Sequence, residues 1–223
     1  MKSYTKKSRI AIILGIIVSL ILSSMTVSYA ASGTKKMTAY RVVIKGKYAY
    51  CGAHNGIYRV NLYTESKKRI VKENNEGFDF GPCYLKIYKG YLYYLSDGPI
   101  LSPLSRVKLN GKNKKHLADV YEYAISKGKI YYTSYSFNTD KDIKRVMKLN
   151  GKNKKKSRYN VRMKYKDSNK SGYRVEQVLV RTETEYFDEE YYNVIEHYAD
   201  YFVGPNGEMI KLCSYSTDYL QEW

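Results

Sequence analysis

A turn glycine followed by an aromatic-rich run occurs three times: Lys45-Gly46-Lys47-Tyr48-Ala49-Tyr50, Lys89-Gly90-Tyr91-Leu92-Tyr93-Tyr94 and Lys127-Gly128-Lys129-Ile130-Tyr131-Tyr132. The glycines are 44 and 38 residues apart. Behind each run comes a second alternating element, first Ile57-Tyr58-Arg59-Val60-Asn61-Leu62, then Ser105-Arg106-Val107-Lys108-Leu109, then Lys144-Arg145-Val146-Met147-Lys148-Leu149. The last two lead into an identical segment, Asn110-Gly111-Lys112-Asn113-Lys114-Lys115 and Asn150-Gly151-Lys152-Asn153-Lys154-Lys155. Asn-Gly between alternating strands predicts a tight hairpin, because both residues tolerate positive φ. A third, weaker element precedes each Lys-Gly, over Tyr40 to Ile44, Tyr84 to Tyr88 and Tyr121 to Ser126.

Each period holds about four short strands in roughly 40 to 45 residues, a repeat length in the range of propeller blades. A sheet that small cannot bury both faces alone and must stack on its neighbours. The expected fold is therefore all-β, with β-propeller-like repeats at approximately 40–83, 84–120, 121–158 and 159–223. Three are clear blades and the fourth is divergent. Two forms stay open: a closed four-blade ring, or an open, partial propeller. In the fourth period Ser171-Gly172-Tyr173 stands where Lys-Gly would, with a strand over Arg174 to Arg181 and an acidic insertion over Glu183 to Glu190. Tyr191 to Val203 reads as a long strand or a short helix. Gly204-Pro205-Asn206-Gly207 reads as a last hairpin before Met209 to Cys213.

Ile130-Tyr131-Tyr132-Thr133-Ser134 followed by Lys148-Leu149-Asn150-Gly151-Lys152-Asn153 resembles the repeat of low-density-lipoprotein-receptor-type propellers. It is closer to secreted bacterial proteins that carry such a propeller as a domain of unknown function. The resemblance covers about residues 40 to 158. It implies a fold rather than an activity, and the tryptophan and aspartate of the receptor repeat are missing from every copy.

The N-terminal segment reads as an export signal that would form the helix ahead of the domain. Lys2, Lys6, Lys7 and Arg9 precede an apolar run from Ile10 to Leu22, and Ser28 and Ala30 offer small side chains to a signal peptidase. The expectation is a signal peptide over 1–30, cleavage between Ala30 and Ala31, and a mature domain over 31–223. Stretching the apolar run to Val27 gives the alternative of an uncleaved anchor at the lower limit for a membrane span. The expected location is extracellular, in solution or associated with the cell wall.

Charge divides the mature chain. Residues 31–175 hold 33 basic and 10 acidic side chains, and residues 176–223 hold 2 basic and 11 acidic. An exported cation of this kind meets polyanions outside the cell, by an attraction that salt screens within about 10 Å at 0.1 M. The many tyrosines suit half-buried strands whose hydroxyls reach water, and they also suit a binding face. Cys51, Cys83 and Cys213 lack the paired spacing of a zinc site. Free thiols are the default reading, and a bridge between Cys51 and Cys213 is the alternative that would staple the ends of the domain.

No catalytic set stands out. His54, His116 and His197 lie in no metal pair or nucleophile signature and read as surface or turn residues. Glu183, Glu185, Asp188, Glu189 and Glu190 are the densest carboxylates, but a run like this reads as a solvated loop. Asp140-Lys141-Asp142 falls short of a calcium loop, and no metal or cofactor is implied. The candidate binding residues are Lys112, Lys114 and Lys115 with Lys152, Lys154, Lys155 and Lys156, which recur at one point of successive repeats. Lys67, Lys68 and Arg69 form a degenerate third copy. They predict a basic rim for polyanionic wall polymer, another glycan or a surface protein; the alternative is edge lysines that block strand-to-strand aggregation. Nucleic acid is disfavoured for an exported chain. Membrane contact would come only through an uncleaved leader or surface electrostatics. The functional expectation is a secreted, non-catalytic binding module at the cell surface. Its rivals are a propeller-type glycan hydrolase and a structural partial propeller completed by a partner chain.

Overall fold

Period-two alternation governs the fold in detail, because every central sheet has a neighbour on both faces. The computed structural model describes residues 33–73, 81–96, 98, 100–166, 168–186 and 191–222. The expected signal peptide, its Ala30–Ala31 junction and the acidic residues 188–190 lie outside them. Among the described residues all regular structure is strand.

After β1 (Thr34–Tyr40), the first blade is an antiparallel meander of β2 (Val42–Lys45), β3 (Tyr48–Ala53), β4 (Gly56–Asn61) and β5 (Lys67–Lys72). The second holds β6 (Cys83–Tyr88), β7 (Tyr91–Leu95), β8 (Ser102–Lys108) and β9 (Lys115–Val120). The third holds β10 (Glu122–Ser126), β11 (Lys129–Ser136), β12 (Lys141–Lys148) and the short edge β13 (Lys155–Lys156). β14 (Asn160–Lys166) follows, and then a three-stranded sheet of long strands, β15 (Arg174–Tyr186), β16 (Tyr191–Val203) and β17 (Met209–Glu222).

Alternate residues of one strand serve different cores. In β3, Ala49, Cys51 and Ala53 pack against Val175, Phe202, Leu212 and Cys213 of the last sheet. Tyr50 faces the other way, into a core shared with Leu85, Leu92, Tyr94 and Val107 of the second blade. Tyr93 and Leu95 of β7 then face the third blade, around Tyr123, Ile130 and Tyr132. Shared cores thus stack the sheets in the order last, first, second, third. Tyr123 is fully buried, and its hydroxyl donates to the carbonyls of Tyr84 at 2.7 Å and Tyr93 at 3.2 Å, which satisfies a polar group that would be costly left alone.

The fourth repeat departs from expectation. Its first strand, β14, leaves the last sheet and pairs in parallel with β1, in register from Thr34↔Asn160 to Tyr40↔Lys166. Met37, Val161 and their neighbours thereby join the core of the third blade, while β15–β17 lie against the first. Residues 169–173 form a turn between two different sheets, where a hairpin was expected. Tyr191–Val203 is strand along its whole length, and Glu183 and Glu185 belong to β15, where they oppose Ile195 and Asn193. Gly204–Gly207 does turn β16 into β17, which runs on to Glu222.

The turn cues are exchanged. Lys-Gly makes the two-residue hairpins: Lys89 and Gly90 both have positive φ (47° and 77°), as do Lys127 and Gly128 (46° and 72°). The Asn-Gly segments form wider loops. In each, the asparagine side chain accepts a backbone N–H two residues on, Lys112 from Asn110 and Lys152 from Asn150, both at 3.0 Å. In the first blade Lys45 pairs with Tyr48, so its turn is Gly46-Lys47, one residue later than Lys89-Gly90 between Tyr88 and Tyr91. Tyr48 therefore corresponds to Tyr91. Arg59 lies 4.5 Å from the ring of Tyr48 and Arg106 lies 4.3 Å from that of Tyr91, one cation–π contact in two copies.

Candidate functional site

The loops that carry the repeat lysines are packed onto the preceding blade. Gly111 sits at φ +87°, and a Cβ there would fall 2.6 Å from the carbonyl oxygen of Ile70 on the preceding blade's edge strand. Gly151, at φ +82°, makes the equivalent approach to Leu117. Each loop is thus laid across its predecessor. Lys114 forms an ion pair with Glu73 at 2.8 Å, and Lys115 donates to the carbonyl of Asn150 at 3.1 Å, which joins the loop of the second blade to that of the third. Lys67 reaches the carbonyls of Lys211 and Leu212 in the same manner. Lys112, Lys152, Lys154, Lys155 and Lys156 are exposed, the last two on β13 rather than in the turn. Lys67, Lys114 and Lys115 therefore tie sheets together.

A second basic surface includes Lys156, and motif reading missed it. A groove of about 510 Å³ is lined by Lys129, Tyr131, Val146, Lys156, Ser157, Arg158 and Tyr159. Tyr131 and Tyr159 meet edge to face, with centroids 5.5 Å apart. Lys35 lies over both rings, 3.9 Å from that of Tyr159 and 5.3 Å from that of Tyr131. The Arg158 guanidinium beside the Tyr159 hydroxyl, together with the charge of Lys35, holds that phenol below its ordinary pKa. The lining contains no carboxylate. Arg158-Tyr159 directly after the lysine run was the available signal. Lys35 is distant in sequence and arrives only because β1 pairs with β14.

The junction of the first and last sheets carries the other concentration of polar groups. Asp200 is fully buried; it accepts the backbone N–H of His54 at 2.5 Å, faces Arg41 at 3.5 Å and receives the Cys213 thiol at 3.8 Å. Arg41 also donates to the carbonyl of Gly52 at 2.9 Å. The His54 ring stacks on Tyr215 at 3.6 Å, so His54 is part of a packed junction and not a plain turn residue. Cys51 and Cys213 share this core as free thiols, without the bridge considered between them. Burial, with Asp200 nearby, pushes the Cys213 thiol up to about 11, which leaves it a poor nucleophile near neutrality.

Across β15–β17, the Ser216 hydroxyl and His197 Nδ1 are 2.8 Å apart, and His197 Nε2 lies 3.2 Å from Glu183. This row has triad-like residue types. It runs across three neighbouring strands, however, and Ser216 is exposed to water, whereas stabilising an oxyanion calls for a water-excluded site. His116 is exposed beside Asp119 at 3.5 Å. Among the described residues no group of three or more His, Cys, Asp or Glu is placed to hold a metal ion.

No family model matches the chain, and no curated protein does. Among solved structures, the chain is similar to a crystal structure of a nidogen/laminin complex, at 13% identity and TM-score 0.37, covering 80% of this chain and 64% of that one. It is also similar to TolB from Acinetobacter baumannii, at 11% identity and TM-score 0.33, covering 78% and 42%. A putative TolB from Agrobacterium tumefaciens gives 10% identity and TM-score 0.28, covering 80% and 87%. The chain spans less than two thirds of the first two.

Proposed function

We propose that the domain is an exported, non-catalytic binding module that holds polyanionic polymer at the cell surface through its basic rim. One observation carries this reading: the Asn-Gly-Lys-Asn loops of two adjacent blades are joined by the Lys115 contact to Asn150, and Lys112, Lys152, Lys154, Lys155 and Lys156 in and beside them are exposed. Isolated edge lysines that only prevent strand pairing would not need loops of matched geometry. Adjacent cations along a surface attract an extended anion cooperatively, with a strong dependence on salt. The sequence pattern of the leader supports export, and the net charge of +23 over residues 31–175 supports an anionic ligand.

The test replaces Lys112, Lys152, Lys154 and Lys155 by glutamine and measures retention on isolated cell envelopes between 50 mM and 500 mM NaCl. Retention that falls with salt in the parent and is lost in the variant supports the reading. Identical salt curves for the two proteins would remove it.

A further inference from the structure

The groove beside the rim has a composition that the rim lacks. It combines cations with an apolar wall, in a volume of about 510 Å³ that falls within the range of small-ligand sites. Lys129, Lys156 and Arg158 line it, and Lys35 lies over its two tyrosine rings. Four like charges around one concavity repel one another unless an anion joins them, and the lining offers no carboxylate to do so.

We propose that this groove seats a short segment of a phosphodiester-linked polyol or sugar chain, with Lys35, Lys129, Lys156 and Arg158 on the phosphates and Tyr131 and Tyr159 against the carbon-bearing spacers. Arginine matches a phosphate's geometry through its planar fork, and lysines act as point charges around it. The cations are spread along the groove and continue through Lys156 into the exposed Lys154 and Lys155, an arrangement that suits charges repeated along a chain. The tyrosines argue against nucleic acid. Base stacking needs an open ring face. Tyr131 is only 9% exposed, and a face of Tyr159 is already covered by Lys35. A thin CH-bearing spacer can lie along such rings without a free platform.

The inference rests on the polyanion reading but its residues share only Lys156 with the rim, and both variants leave Lys156 in place, so the two can fail separately. Isothermal titration of the whole protein uses a synthetic glycerol-phosphate oligomer of about six units and an oligo-dT of the same charge. Three proteins are compared: the parent, a groove variant (Lys35→Gln, Lys129→Gln, Arg158→Gln) and a rim variant (Lys112→Gln, Lys152→Gln, Lys154→Gln). The expected result is that the groove variant binds the glycerol-phosphate oligomer at least roughly tenfold more weakly, the loss of about one charge-assisted contact. The rim variant should keep short-oligomer binding within about twofold of the parent, for the same energetic reason. Should the triple variant not fold, Lys129→Glu and Arg158→Gln made singly, both at exposed positions, are expected to weaken binding in the same direction. Equal affinity of parent and groove variants overturns the groove while leaving the rim intact. Tighter binding of oligo-dT than of the polyol oligomer also overturns it, in favour of a nucleic-acid surface. If envelope retention is lost in the rim variant alone, the general reading stands and this one falls.

Discussion

Replacing Asp200 by alanine asks how the last sheet is held to the first blade. Asp200 is fully buried on β16 and meets two donors from the first blade and its approach: the Arg41 guanidinium at 3.5 Å and the His54 N–H at 2.5 Å. At an effective dielectric constant of 20, two unit charges 3.5 Å apart attract by about 5 kcal/mol, an upper bound because desolvation opposes it. Alanine leaves Arg41, whose side chain is 14% exposed, without its carboxylate, and takes the acceptor from a half-buried N–H. Breaking a buried pair from one side costs about 3–5 kcal/mol. Asparagine keeps an acceptor for His54 while losing the charge, so it should cost less than alanine. For a domain of this size, 3–5 kcal/mol corresponds to roughly 6–20 °C in Tm. Urea denaturation followed by circular dichroism gives the free energies, and hydrogen exchange shows where protection is lost. Protection should fall first in β15–β17 and in β2 and β3. Replacing both partners, Arg41→Met with Asp200→Leu, should recover much of the loss, since no buried charge remains. A cost below about 1 kcal/mol for alanine, or a double variant as unstable as the sum of the singles, would refute the junction as described.

Gly111→Ala should be more destabilising than Gly128→Ala in thermal melts, since both have positive φ but only Gly111 meets a backbone oxygen at 2.6 Å; equal melts would count against the loop contact. Tyr123→Phe removes a fully buried hydroxyl that serves two carbonyls and should cost about 1–3 kcal/mol by urea titration. Stability should fall at alkaline pH, because burial raises Cys213 from 9.0 to about 11 and Tyr215 from 10.0 to about 12. The unfolded chain then loses these protons first, so the contribution is complete below about pH 9 and disappears as pH climbs towards 11 and 12; a urea midpoint unchanged from pH 8 to 11 would contradict it. A fluorophosphonate probe should leave Ser216 unlabelled, because the row lies exposed to water on a sheet face and oxyanion stabilisation needs a water-excluded site.

Much of the blade architecture was legible because it is local. A glycine turn, an alternating aromatic strand and a short return specify one small sheet, and that sheet's two apolar faces require neighbours on both sides. Even so, register escaped the pattern. Aligning the copies on Lys-Gly puts Tyr50 opposite Tyr94, whereas the Gly46-Lys47 turn makes Cys51 the equivalent of Tyr94 and sends Tyr50 to the other face. In a strand, a shift of one residue exchanges the faces. The repeat lysines were legible as a set, but their division into ties and free charges was not. Glu73 and the Asn150 carbonyl decide it, and they belong to other blades.

By itself, then, the sequence determined strands, turns, a stack of small sheets and a basic surface, since each follows from residue spacing within about 45 residues. The tertiary structure alone decided where the fourth repeat goes. Parallel pairing of Thr34–Tyr40 with Asn160–Lys166 joins segments more than a hundred residues apart, and no short-range pattern encodes that partner. That pairing brings Lys35 over Tyr159 beside the groove, while β15–β17 cover the first blade through Asp200. The physical reason is the same in both places. An end sheet must bury its remaining apolar face, and the segment that covers it is selected by fit in three dimensions rather than by order along the chain.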